Sequence, residues 1–534
     1  MVGSWGEPDS LNPLLCQNAN CSQITSLLFP AFIGVDPVSG YFAPNQPGAL
    51  VESWMVSSDN LTYTISLRND WYWSDGRPII AHDIQYAWQA IHSETLEGGP
   101  FIVDITDVTV IDDYTLQITV ATPDCGVLYE IAQLPVVPSH ILEAAVGQDY
   151  ASINTLDFNT APNVTAGVFQ FEDYTPGQQI SLVPNAAYPD ALAGAVRPAK
   201  LVWTFFVDAQ TMIAALEAGD IDVITGTIPR ENFARLRESG QQTYEYPVNT
   251  MTHVGLNMAD PTHPQNGLDA AGNLIDQGHH PILGDVRVRR ALVMAVDVDA
   301  IIQGTLFGAG TRISSFSVPT SWADNPDLTP IPYDSDGARA LLKDAGWEDT
   351  DGDGILDCLN CLYAPVGTPL QFSLLTPTTN TARVAAVQII SAYLAQIGVQ
   401  VDATLMEFTA LLDSLGAQTF DAYLLSWSLG FPVDPDPSEI FEATGDVVGN
   451  VSNMGSYYNP ELEALLNQAR TVPDCDLAER QTLYHQVQRI LQADAPYIFL
   501  YTTTSIYAAQ PGLEGFNPFP NQLFWNVDTW GVRR

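Results

Sequence analysis

The sequence predicts a mixed α/β fold divided into several lobes, and three observations carry that expectation. Segments that alternate apolar and polar residues with a period of two are interleaved with segments whose apolar residues recur at helical spacing. The chain has 534 residues, too many for one hydrophobic core, and at roughly 100 to 200 residues per domain it divides into about three or four lobes. Hydrophobic residues make up 46% of it and charged residues 15%, enough apolar material to bury proper cores.

Residues 61–67 and 115–120 alternate strictly and read as half-buried strands, with a helix over 83–92 between them. Strands follow at 179–183 and 201–207, then a helix at 209–218 that Gly219 ends. Farther on, residues 286–303, 335–345, 382–397, 460–470 and 477–493 carry helical spacing, and 370–375, 400–405 and 422–427 read as intervening strands. Strands and helices that alternate in this way, with no internal repeat and no low-complexity tail, give the α/β class. Trp71, Trp73 and Trp88 are assigned to the core, because a tryptophan buries a large area. Asp285 is placed as the cap that begins the helix at 286, and Arg287, Arg289 and Arg290 are assigned to ion pairs at a surface or between lobes.

Charge removes whole classes of partner. The formal net charge is −43, and Lys200 and Lys343 are the only lysines, so a nucleic-acid backbone or an anionic membrane surface is repelled. The acidity reads as a solvated surface suited to an extracellular or salty setting ahead of a trap for cationic solutes. No apolar run approaches the roughly 20 residues that span a bilayer. The start, Met1 to Trp5, carries neither a basic nor an apolar leader region, which fits a removed signal segment or a cytosolic protein. Six cysteines favour the former: Cys16/Cys21 and Cys358/Cys361 are close pairs, Cys125 and Cys475 each follow Pro-Asp, and an even count fits up to three disulfides in an oxidising compartment. Cys358 and Cys361 lack the second thiol pair or paired histidines that a zinc site needs.

Eight motifs run in order along the chain: Gly6 to Pro13, Ala49 to Trp54 leading into Leu61 to Thr64, Trp73 to Pro78, Ala215 to Asp222, Asp285 to Leu292, Asp351 to Gly354, and Asp494 to Tyr501. Together they resemble the family 5 extracellular solute-binding proteins, the peptide and nickel type of ABC-importer binding protein. The resemblance implies a periplasmic-binding-protein-like type II fold, with two hinged ligand-binding lobes plus an extra α/β lobe. Lobe I would be 1–38, 165–255 and 497–534, the extra lobe 39–164, and the opposite lobe 256–496, with crossings near 254–257 and 496–502. It implies a monomer outside the cytoplasm, periplasmic or at the cell surface and open to lipid anchoring, that closes on a small-molecule or peptide ligand and is read by ABC permease subunits.

In the family's peptide binders the segment corresponding to residues 425–430 lies along the ligand, so Trp427, Ser428, Leu429 and Gly430 are carried over as ligand-binding. Those binders hold the peptide ammonium with an acid two or three positions after the tryptophan. Here Leu429 and Gly430 stand there, and Phe29-Pro30-Ala31-Phe32 replaces a second acidic position. An unpaired ammonium in a closed cleft costs several kcal/mol, so an oligosaccharide or other uncharged solute competes with a peptide. Asn453, Phe316, Ser22 and Tyr501 are placed at the cleft or its hinge by position.

Asp349, Asp351, Asp353 and Asp357, with the carbonyl of Ile355, alternate around Gly354 as oxygen ligands do around Ca²⁺. Position twelve is Asn360 where a full EF-hand has Glu, so a structural calcium stands beside a solvated acidic turn that holds no ion. No cofactor is required. An enzyme is disfavoured: Asp434, Asp436 and Glu439 crowd one Pro-rich turn, and no G-x-S-x-G, H-E-x-x-H or phosphate loop occurs. A sensory module feeding a chemoreceptor is the third reading, and no fused signalling domain accompanies it.

Overall fold

The computed structural model describes residues 1–533 except 38, 101, 193 and 227; the expected lobe limits at 38 and 534 therefore fall outside the described residues. The chain forms two compact units, one made of Met1–Tyr246, Arg470–Asp476 and the residues from Ser505 onward, the other of Pro247–Ala469 and Leu477–Thr504.

In the first unit Val2–Trp5 lies parallel to Leu201–Phe206 on one side and to Val223–Ile224 on the other. Antiparallel neighbours extend this sheet, with Gln179–Pro184 and Phe169–Thr175 beyond Leu201–Phe206 and residues 508–509 beyond Val223–Ile224. The helix Ala209–Ala218 starts where the Asp208 carboxylate accepts the Thr211 N–H and stops at Gly219, whose φ of +85° suits glycine. Its Met212, Ile213 and Leu216 pack with Ile221, Ile224, Phe233 and Ile506.

A second, antiparallel sheet of this unit runs Val51–Val56, Thr62–Leu67, Thr115–Val120, Ile105–Asp112. Its two inner strands bury alternate residues, Tyr63, Ile65 and Leu67 against Leu116, Ile118 and Val120, which is the period of two met in the sequence. Trp71, Trp73 and Trp88 are core residues. Buried Asp83, in the first turn of the helix Ala81–His92, accepts hydrogen bonds from Trp73 Nε1, Ile80 N and both the N–H and hydroxyl of Ser139. Three disulfides form: Cys16–Cys21, Cys358–Cys361 and, across 350 residues, Cys125–Cys475.

The second unit centres on Thr250–Leu256, antiparallel both to Ala422–Ser428 and to residues 497–501. Gln371–Pro377 and Gln400–Met406 continue the sheet in parallel. The helical stretch expected over 286–303 is two helices, Val286–Ala295 and Val298–Leu306. The break has a local cause: Val296 is extended, and the Asp297 carboxylate accepts the Ala300 N–H, capping a new start. Asp285 caps the first of them through the Arg287 N–H, as expected. Arg287 pairs with Asp285 and Asp344. Arg289 corrects its assignment to an ion pair: it is buried, and its guanidinium donates to the carbonyls of Leu283, Gly284, Asp494 and Ala495. A guanidinium with five donors in a fixed fork can tie several carbonyls at once, and here it joins the ends of two helices. No helix among the described residues is long and apolar enough to cross a membrane.

Candidate functional site

The first unit holds a cavity of about 1110 Å³. One wall is the helix Ala19–Leu28, whose start is fixed by the Asn18 side chain accepting the Cys21 N–H and by the Cys16–Cys21 bond. Helical spacing brings Ser22, Thr25 and Ser26 to one face, and each hydroxyl donates back to a carbonyl of its own chain, at Asn18, Cys21 and Gln23. Phe29 and Phe32 continue this wall, Phe29 held edge-on to Trp73 at 6.4 Å. Opposite stand Ile91, Ile102, Leu134 and Val136. Gly99 passes the backbone so closely that a Cβ there would lie 2.3 Å from the Leu14 carbonyl oxygen, and its φ is +88°, which fixes the loop between them as glycine. The ionisable side chains of the lining are His92 and Glu94, both exposed. Of the expected ligand-binding residues, Ser22 lines this cavity.

The others lie in the second unit. Trp427 and Ser428 end the strand Ala422–Ser428, paired with Met251 and Thr250. Leu429 N donates to the Asn249 carbonyl, and the Asn249 amide donates to the carbonyl of exposed Gly430, so one buried asparagine sets the path of the chain beyond the tryptophan. Phe316 is buried edge-on to Phe441, 5.6 Å between centroids. Asn453 is buried beside that ring, donating to the carbonyls of Glu442 and Tyr457 and accepting the Tyr457 N–H. Tyr501 is a core residue of the strand Tyr497–Ala509.

Sequence reasoning did not find the group that links these positions. Rings run from Phe316 to Phe441, on to Tyr497 at 5.0 Å, then to His253 at 4.2 Å and nearly parallel, and from His253 to Trp427 at 6.4 Å with an interplanar angle of 5°. His253 is 1% exposed, and burial drives its pKa down to about 3, so the ring stays neutral. Its two nitrogens lie 3.4 Å from different oxygens, Nδ1 from the Met251 carbonyl and Nε2 from the Tyr423 hydroxyl, and the neutral ring has one N–H to share between them. The Tyr423 hydroxyl donates to that of Tyr497, whose own pKa burial raises to about 12. The signal was the alternation over 250–256, which puts His253 on the same side as Met251 and Gly255; spacing could not say which rings it meets. This stack is buried, uncharged and suited to support a face of Trp427, and its histidine stays neutral near neutral pH.

The acidic loop draws together the carboxylates of Asp349, Asp351 and Asp353, which lie within 4.8 Å of one another and are exposed. They also cap their own loop, Asp349 accepting the N–H groups of Gly352 and Gly354 and Asp353 that of Ile355. Asp357 is turned to Thr350, accepting its N–H and hydroxyl, and stands outside the cluster of three.

Comparison with known proteins gives concordant results. The sequence model of the family described as bacterial extracellular solute-binding proteins, family 5 (middle), matches residues 46–447. The oligopeptide-binding protein AppA of Bacillus subtilis (strain 168) is 26% identical over 548 residues, covering 100% of this chain and 91% of AppA. Heme-binding protein A of Haemophilus influenzae is 26% identical over 521 residues, covering 90% of this chain and 84% of that protein. Among solved structures, HbpA2 from Haemophilus parasuis shares the fold with a TM-score of 0.81 at 21% identity, covering 100% of this chain and 99% of HbpA2.

Proposed function

Because the chain belongs to family 5 of the bacterial extracellular solute-binding proteins, we propose that it captures an oligopeptide or a similar small solute outside the cytoplasm and delivers it to the permease subunits of an ABC importer, without catalysing a reaction. The observation that carries the reading is the 1110 Å³ cavity of the first unit. It is as large as the upper range of small-molecule sites, roughly 1,000 Å³. Its wall mixes apolar side chains with hydroxyls, amides and the exposed His92 and Glu94, so a guest gains from excluded water on its apolar parts and finds polar partners beside them. AppA is an oligopeptide-binding protein and supports the peptide class; Heme-binding protein A, a relative of equal identity, binds a different solute, which keeps a flat or sugar-like ligand as the second reading.

The strand end Trp427 to Gly430 in the second unit is the second surface assigned to the solute, on the strength of the motif and of the ring stack that holds Trp427. A calcium ion on Asp349, Asp351 and Asp353 belongs to the same proposal as a stabilising ligand, since three carboxylates within 4.8 Å repel one another until a cation joins them. The test is a thermal-shift screen against di- to pentapeptides, oligosaccharides and porphyrins, because a ligand of the folded state raises the melting temperature. A peptide series that stabilises the protein supports the reading; sugars or porphyrins acting while peptides are silent replaces it with the second.

A further inference from the structure

Among the described residues Arg237, Arg290, Arg383 and Arg489 make neither an ion pair nor a side-chain hydrogen bond. Arg237, Arg290 and Arg489 are exposed, where water solvates them, but Arg383 is half-buried. Burial holds its pKa below that of a free arginine, yet a guanidinium keeps its proton in a protein and has five donors and no acceptor. Such a charge, partly withdrawn from water and unpaired, costs free energy until an anion meets it. Its own helix gives no relief. Arg383 stands in the first turn of Thr381–Ala395, which holds no acid, and the peptide dipoles leave positive charge at that end. Glu407, which follows the neighbouring strand Gln400–Met406, turns a carboxylate oxygen to the N–H groups of Thr409 and Ala410 at the start of the next helix.

The sheet places Arg383 beside groups already assigned to the solute. Gln371–Pro377, which leads into this helix, runs parallel to Ala422–Ser428. Both strands therefore end at one edge, and ligands of open α/β sheets bind outside such carboxyl ends. The helix packs its Ala386, Val387 and Ile390 in one core with Ala422 and Leu424. By alternation Ser426 and Ser428 continue that face, while Trp427 belongs to the other with Tyr423 and Leu425. Arg383 and exposed Ser428 thus share one face at the end of the strand, and Trp427 stands on the opposite face of the same edge.

We propose that Arg383 receives a carboxylate of the solute, with the Ser428 hydroxyl as a further donor. The proposal rests on the reading of Trp427 to Gly430 as a solute surface and names the class of solute, one that bears a carboxylate. Guanidinium and carboxylate match through two parallel N–H···O bonds. A peptide brings that group at its C-terminus or on an acidic side chain.

The experiment titrates the whole protein by calorimetry, at constant ionic strength, with alanine peptides of three to five residues in three forms: free acids, C-terminal amides, and amides with one alanine replaced by aspartate. A carboxylate is expected to raise affinity at least tenfold over the plain amide, and Arg383→Gln to abolish that gain. A gain shown by the free acids places the carboxylate at the C-terminus; a gain shown by the aspartate amides places it on a side chain. Without ligand the variant should melt no lower than the wild type, because the arginine has no partner to lose. The proposal is overturned, with the peptide reading left standing, if all three forms bind the wild type alike or if the gain survives in Arg383→Gln. Silence from every form removes the peptide reading and the proposal with it. The wild-type comparison needs no variant, so it decides even if Arg383→Gln does not fold.

Discussion

The large cavity of the first unit and the ring stack of the second differ in what they leave to a guest. In the cavity the hydroxyls of Ser22, Thr25 and Ser26 donate to carbonyls of their own segment, so a guest meets them chiefly as acceptors. In the stack Phe316, Phe441, Tyr497 and His253 are buried, and Trp427, half-buried at its end, offers a ring. A hydrophobic pocket discriminates weakly between guests that differ by one small group, so selectivity rests on the polar groups beside the apolar surface.

The contrast can be broken by filling the cavity and by trimming the stack. Ser26→Trp places an indole in the large cavity from an exposed helix position; calorimetry should show affinity for the best peptide falling at least a hundredfold while the melting temperature holds. An unchanged peptide affinity would take the solute out of that cavity. Trp427→Ala is expected to weaken the same ligand by at least tenfold, and retention of full affinity would reduce the tryptophan to a wall.

A third measurement bears on the ring stack. His253 has a folded pKa near 3 against an ordinary 6.5, so between those values the unfolded chain binds a proton that the folded chain refuses. That share of stability is fully present above pH 6.5 and is lost as pH falls toward 3, at up to about 1.4 kcal/mol per pH unit. His253→Phe should flatten the fall in denaturant midpoint over this window; an identical slope would mean that the histidine is not the group responsible. The smallest effect concerns the acidic loop. EDTA should lower the melting temperature by a few degrees, and Asp351→Asn should abolish that response; a melting curve indifferent to chelator would leave the loop as a solvated turn.

Much of the fold was legible because it is local. The strand over 115–120 and the helices over 209–218 and 460–470 fall where periodicity and caps put them. The helical run from 286 was misjudged because Val296 and Asp297 fit the apolar rhythm while their backbone leaves the helix. The clustering of Asp349, Asp351 and Asp353 was legible because they alternate along one short loop, while the role given to Trp427 to Gly430 rests on the motif. The candidate site was illegible where it depends on distant partners. Nothing near His253 announces Tyr497, and nothing near Arg289 announces the carbonyl of Asp494.

The bond between Cys125 and Cys475 sets an order of events during biosynthesis. A chain made from its N-terminus exposes Cys125 some 350 residues before its partner exists, whereas Cys16 and Cys21 are born 5 residues apart. Cys125 must wait as a thiol in the company of a bond already able to exchange with it. The first unit, begun earlier, is sealed only after most of the second has been made, and an early mispairing of Cys125 has to be undone by thiol–disulfide exchange before that bond can close.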